Sequence, residues 1–521
     1  MKKYWFLAIA AALVLTAAAV VLGGLNQDEG WYLYAAQLVG EGRMPYRDFF
    51  YTQGPLMPIV YSRLAFAWAK WGLLGARALT AVLGLAGCIV AVALARLVVP
   101  KERRNAAGLV AFMLLACNLY HLYFVSIPKT YSLAAFFVLT GFYLLVRGVG
   151  AAKGRAGLFF AAGLSLSFAT GTRISLGALL AVCGFGLLFA FRRFRWGFLW
   201  FGFGGLLGLA VVYGPFLLQP EALSGLCAAQ RYHAARGGFS PVFVVGSVSR
   251  LVRWYLPLFL LLGLAVFVGR DRRRAADGAD AVRQGVQGSD SFPVALLFTG
   301  FLAVFVVQML APFPYEDYQV PVMGLLAVGA SALAATRLDL PPPATGRFPC
   351  LVAEPPVKLA LLTLGLAFAT AFGSPLLEKW TTDGQDRFWT LKKEKPEIFL
   401  LKDAAAAIEA LDPGGTTLLT QDLYLAIETR RKVPEGLEMG PFSILSDDDW
   451  RDLLDSTTCP VAAISGYAFA VDPPVCDERD PSFQEELRAK VRARYDLKSE
   501  IKAFGQNSTL LEIMKLKEAA K

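Results

Sequence analysis

Apolar residues run on along most of this chain rather than alternating with polar ones. Uncharged stretches of about 16 to 22 residues recur as far as residue 375, the length a helix needs to cross a bilayer. The pattern predicts about eleven transmembrane helices, at roughly 5–25, 78–98, 106–125, 131–147, 156–171, 174–191, 197–218, 254–269, 292–311, 319–336 and 357–375. Helices are the expected form because they satisfy their own backbone in lipid. From about Glu378 the pattern changes to charged, amphipathic segments. "LKDAAAAIEALD" and "FQEELRAKVRARYD" read as helices, and "TTLLTQ", "VAAIS" and "STLLEIMK" as short strands. The fold class expected is therefore a polytopic α-helical membrane protein, residues 1–375, followed by an α/β domain, residues 376–521.

Composition agrees: 56% of the 521 residues are hydrophobic and 18% charged, against about a quarter charged in a soluble chain. The net charge of +10 sits in short segments between apolar runs, such as "KERR" at 101–104, "RRFR" at 192–195 and "RDRRR" at 270–274. That distribution follows the positive-inside tendency and gives no nucleic-acid signature. With the N-terminal "MKK" inside and the spans alternating, the basic loops all fall inside. The first run also has features of a cleaved signal peptide, but its apolar core is longer than a typical one. On this topology six elements face outward: the loop 26–77, the turns 126–132 and 171–173, the loop 219–253, the turn "PFPYEDYQVP", and the tail after Pro375. Of seven cysteines, Cys459 and Cys476 share the outer domain, where a disulfide is one possibility that spacing cannot settle. With only His121 and His233, a His-rich metal site is excluded.

The ionisable residues at the outer edge are Asp28, Glu29, Arg43, Arg47, Asp48, Lys129, Arg173, Arg231, His233, Arg236, Glu316 and Asp317. Charges at a membrane edge are functional candidates. Lys129 and Arg173 lie in otherwise apolar outer turns, against the depletion of bases on that side. One carboxylate and several cations suit sugar transfer from a lipid phosphate. The phosphate leaves as an anion, so it needs cations more than a general acid. The acceptor hydroxyl needs one carboxylate base.

The stretch "DEGWYLYAAQLVGEGRMPYRDFFYTQGPLMPIVY" is similar to the first outer loop of the GT-C glycosyltransferases. The branch it resembles holds the protein O-mannosyltransferases, the aminoarabinose transferases and the lipopolysaccharide-core galacturonosyltransferase-like proteins. "GTRISLG" and "EALSGLCAAQRYHAARGGFSPVF" resemble that group's basic turn and its amphipathic outer segment carrying a histidine. The resemblance covers residues 1–375 and implies an integral-membrane, inverting transferase with its site and C-terminal domain outside the cell membrane. Its donor would be a polyprenyl-phosphate sugar and its acceptor a glycan, lipid or protein. It implies Asp28 as catalytic base beside Glu29, and Lys129, Arg173, Arg231, His233 and Arg236 as donor-phosphate ligands. The aminoarabinose transferases carry Glu-Lys where this chain has Thr52-Gln53 before Gly54-Pro55, which implies a different donor or binding mode. Asp48, Glu316 and Asp317 remain candidates for acceptor or metal contact, and a divalent metal stays open because related enzymes differ.

Some of these residues also have structural readings. Asn26 with Glu29 forms a capping-box pattern for a helix 27–41, and Asp28 would favour its dipole. Lys129 could snorkel at a helix end. The rival function is a multi-span transporter with an outer binding domain. The sequence shows no internal repeat, and its charges gather at one face rather than in span interiors.

Overall fold

The computed structural model describes residues 2–194, 196–235, 237–277, 292–337, 395–472 and 477–518. The expected span 357–375, Arg236 and Cys476 lie outside them. Among the described residues six helices are long and apolar enough to cross a membrane, or eight if each of two bent pairs counts as one. They include Lys2–Leu22, Thr130–Gly150, Gly197–Leu217 and Phe292–Met309, close to the runs read from the sequence. One expected span is broken. Residues 106–125 divide into Arg104–Ala116 and Leu119–Ser126, bent by 69° at Asn118. Its side chain accepts from His121 N and donates to Trp254 O, so a capping residue starts a new helix there. The span expected at 254–269 is one helix from Leu256, but the expected loop 219–253 ends in a helix of its own, Pro241–Trp254, bent from that span by 86°.

Helices Arg155–Thr172 and Gly197–Leu217 pack backbone to backbone. A Cβ on Gly163 would lie 2.0 Å from Phe201 O, and one on Gly204 would lie 2.0 Å from Phe160 O. Reciprocal glycines of this kind allow close approach where lipid offers no hydrophobic drive between helices. Outward-facing Phe6, Phe189, Leu206 and Val211 are exposed, as lipid contact requires.

The segment 26–77 is not one loop. It holds helices Gln27–Gly40 and Leu56–Arg63, and the helical run Ala65–Leu97 begins well before the expected residue 78. The reason is Arg77, which is buried inside this run rather than solvated at its end.

The C-terminal domain holds a three-stranded antiparallel sheet in the order Val461–Ser465, Thr509–Leu516, Tyr495–Phe504. Val461 pairs with Lys515 and Tyr495 with Leu516. Helices Glu397–Leu411, Asp447–Ser456 and Pro481–Arg494 surround it. "VAAIS" and "STLLEIMK" are strands as read. "TTLLTQ" is not: it makes only isolated bridges, Thr417 with Lys432 and Leu419 with Ala462. Burial of Leu418 and Leu419 holds it in place without a ladder. The strand Tyr495–Phe504 escaped the reading because its charged sequence suits an exposed edge. Cys459 is a buried free thiol.

Candidate active site

The first helix ends at Leu22, and Asn26 restarts the chain as the N-cap of Gln27–Gly40. Its side chain accepts from Asp28 N at 3.1 Å, and Glu29 Oε1 accepts from Asn26 N at 3.0 Å, completing a capping box. Consecutive helical residues diverge by roughly 100°, so Asp28 and Glu29 face different surroundings.

Glu29 faces inward. Arg77 donates to its two carboxylate oxygens, Nε at 2.7 Å and Nη2 at 2.6 Å, and both side chains are fully buried. The same guanidinium donates to Val20 O, Gly23 O and Gly24 O. It therefore caps the C-terminal carbonyls of the first span while neutralising Glu29. This cluster is closed and fully bonded.

Asp28 faces a cavity of about 580 Å³. Its Oδ1 accepts from Trp31 Nε1 at 3.1 Å, and its Oδ2 lies 2.7 Å from Lys129 Nζ. Lys129 sits just before helix Thr130–Gly150, extended, with its amine also 3.4 Å from Asp317 Oδ2. The Tyr131 hydroxyl donates to that same oxygen at 2.7 Å. Arg173 enters where Arg155–Thr172 ends. Its guanidinium lies 4.9 Å from the Tyr131 ring and 4.8 Å from the Tyr318 ring, and its Nη1 donates to Thr130 Oγ1. Its Nε is buried without a hydrogen-bond partner among the described residues. A buried, unsatisfied guanidinium nitrogen beside a cavity is a costly arrangement unless an anion completes it.

The remaining candidates divide. His233 lines the cavity, and its Nε2 donates to Thr52 O at 3.0 Å, which fixes the proton on that nitrogen. It thereby braces the Thr52-Gln53 segment. Glu316 also lines the cavity but is bound by Arg250 at 3.0 Å. Asp48 and Arg231 are not among the cavity-lining residues. Asp48 pairs with Arg47, whose guanidinium holds the carboxyl at about 2, and Arg231 is exposed. No group of three or more His, Cys, Asp or Glu residues poised for a metal occurs among the described residues.

Several contributors escaped the sequence reading. From the sequence Trp31 suits an interface belt with Tyr32 and Tyr34, and nothing there singles out Tyr131, Arg77 or Arg250. The C-terminal domain supplies Phe442, Tyr467, Gln506 and Asn507 to the cavity wall, and nothing in the sequence linked these positions to Asp28.

No protein-family model matches the sequence, and no curated protein matches it. Solved structures do match. The ArnT structure from Cupriavidus metallidurans bound to undecaprenyl phosphate superposes with a TM-score of 0.61 at 14% identity, covering 98% of each chain. The apo oligosaccharyltransferase of Archaeoglobus fulgidus gives a TM-score of 0.50 at 12% identity, over 95% of this chain and 70% of that one. With its membrane-length helices, its C-terminal domain and a charged cavity lined from both, this chain has the GT-C fold of those structures.

Proposed function

We propose that the protein is an inverting glycosyltransferase that moves a sugar from a polyprenyl-phosphate donor to an acceptor at the outer face of the membrane. The observation that carries this reading is the convergence of Asp28, Lys129, Asp317 and Arg173 in one cavity. These residues come from four chain segments, each at or beside the end of a helix. The undecaprenyl phosphate bound to the ArnT structure supports a lipid phosphate as the donor's anionic part.

In this reading the donor phosphate lies between Lys129 and Arg173. Lys129 exchanges its contact with Asp28 for one with the phosphate, and the open Arg173 Nε takes a phosphate oxygen. Both then stabilise the charge that grows as the sugar–phosphate bond breaks. Asp28, released from Lys129, takes the proton of the attacking hydroxyl. Attack from the face opposite the phosphate inverts the sugar carbon. Glu29 keeps the helix in place and touches no substrate. His233 holds Thr52 and Gln53 where related transferases carry a charged pair. Arg231 and Asp48 have no direct part. The eleven-span topology with the N-terminus inside belongs to the same proposal, since it puts the cavity and the outer domain on one side.

The test is a transfer assay with purified protein, labelled polyprenyl-phosphate sugars and a membrane extract as acceptor source. Label is expected to move from at least one such donor and not from the matching nucleotide sugar. Transfer from the nucleotide sugar, or from no lipid donor, would overturn the reading.

A further inference from the structure

The N-terminal turn of helix Gln27–Gly40 is held from outside as well as from within. The Glu397 carboxylate accepts from Leu25 N. Gln27 Nε2 donates to Asp422 Oδ1 at 2.9 Å, and Gln27 N donates to Gln506 Oε1 at 2.8 Å. One turn later, a Cβ on Gly30 would lie 2.5 Å from Tyr424 N, so the helix touches the outer domain backbone to backbone. Further along, Val433 N donates to the Tyr34 hydroxyl. All of these partners belong to the C-terminal domain.

The first-turn N–H groups of a helix have no partner within it. Here Asn26 N and Asp28 N are satisfied by the capping box, and Gln27 N by Gln506. Gln506 stands in the turn between strands Tyr495–Phe504 and Thr509–Leu516. Both Gln506 and Gln27 line the cavity beside Asp28. A contact 479 residues apart in sequence thus completes the cap of the helix that carries the proposed base.

From this we infer that Gln506 is a positioning residue: through its bond to Gln27 N, the outer domain fixes the turn that aims Asp28 into the cavity. Asp422 anchors the same turn through the Gln27 side chain. The outer domain is then part of the catalytic apparatus rather than a cover over it. The inference rests on the role proposed for Asp28. Its structural half stands apart from that role, since the clamp can be measured without turnover. Asp28 must sit close to the attacking hydroxyl, and small misplacements of such groups are costly.

The test compares the full-length wild type with Gln506→Ala, Gln506→Glu and Asp422→Asn in lipid nanodiscs. Two readouts are taken: amide exchange over residues 25–31, and turnover with a polyprenyl-phosphate sugar. Losing one hydrogen bond is expected to speed exchange, and to lower kcat, by up to about tenfold. Donor KM and Tm should stay close to wild type for Gln506→Ala. Gln506→Glu and Asp422→Asn each keep an acceptor oxygen and should retain the wild-type exchange rate. Unchanged exchange in Gln506→Ala overturns the inference, and so does faster exchange with unchanged kcat. So does a fall in Tm that accounts for all of the lost activity. If the wild type uses no lipid donor, the proposed function fails, while the exchange rates still decide whether the clamp exists.

Discussion

Two charge clusters lie side by side where the first long apolar helix gives way to helix Gln27–Gly40, one around Glu29 and one around Asp28. They begin from neighbouring residues on one helix and contain the same kinds of group. In the first, Arg77 gives its nitrogens to both oxygens of Glu29 and to three backbone carbonyls, and both side chains are fully buried. In the second, Asp28 is 30% exposed to a cavity, Lys129 is shared between two carboxylates, and Arg173 Nε has no hydrogen-bond partner among the described residues. A closed cluster of this kind holds a structure together. An incomplete one facing a cavity is where a ligand can add bonds. Charge and position at the membrane edge do not separate the two cases; hydrogen-bond satisfaction does.

The comparison breaks most visibly at Arg77. Arg77→Leu leaves Glu29 buried and uncompensated, which is expected to cost about 3–5 kcal/mol. Thermal unfolding in detergent should show a Tm lower by several degrees, whereas Tm unchanged from wild type would mean that the cluster is not structural. Arg173→Lys should leave Tm close to wild type but raise donor KM by about tenfold, because lysine cannot reproduce the planar fork stacked between two tyrosines. Initial rates against donor concentration check this. Lys129→Ala removes the partner shared by Asp28 and Asp317, and should weaken donor use by a similar factor without unfolding the protein. The smallest effect belongs to Asp48, which lies off the cavity. Asp48→Asn should leave transfer unchanged. Its carboxyl is held at about 2 by Arg47, so the stability it contributes is present above the usual carboxylate range and lost as pH falls toward 2. The variant should be slightly less stable than the wild type at neutral pH, and the two stability curves should converge at the acid end.

The membrane spans were readable because lipid imposes one rule, long apolar runs, that sequence records directly. The bends at Asn118 and near Trp254 were not, since each depends on a polar group meeting a partner far along the chain. Asn26 and Glu29 were legible as a cap because their bonds are local. Arg77 was not legible as Glu29's partner, because 48 residues separate them. Lys129, Arg173 and Asp317 could be grouped by sidedness alone. Which of them touch Asp28 required the packing of four segments. His233 was read as a phosphate ligand by resemblance, and the structure has it bracing Thr52 through the chain's own carbonyl. Strand Tyr495–Phe504 was hidden by its exposed charges, and the grip of Gln506 on Gln27 by the distance between them in sequence.

The central claim is that the adjacent acids divide their labour, Asp28 for chemistry and Glu29 for structure. The most direct measurement is transfer rate per folded molecule for Asp28→Asn and Glu29→Gln, taken together with Tm. The account predicts that Asp28→Asn keeps its Tm and loses transfer by about 10²–10⁴-fold. It predicts that Glu29→Gln loses Tm while its folded fraction still transfers. Wild-type transfer by Asp28→Asn, or a Glu29→Gln protein that is stable and inactive, would contradict it.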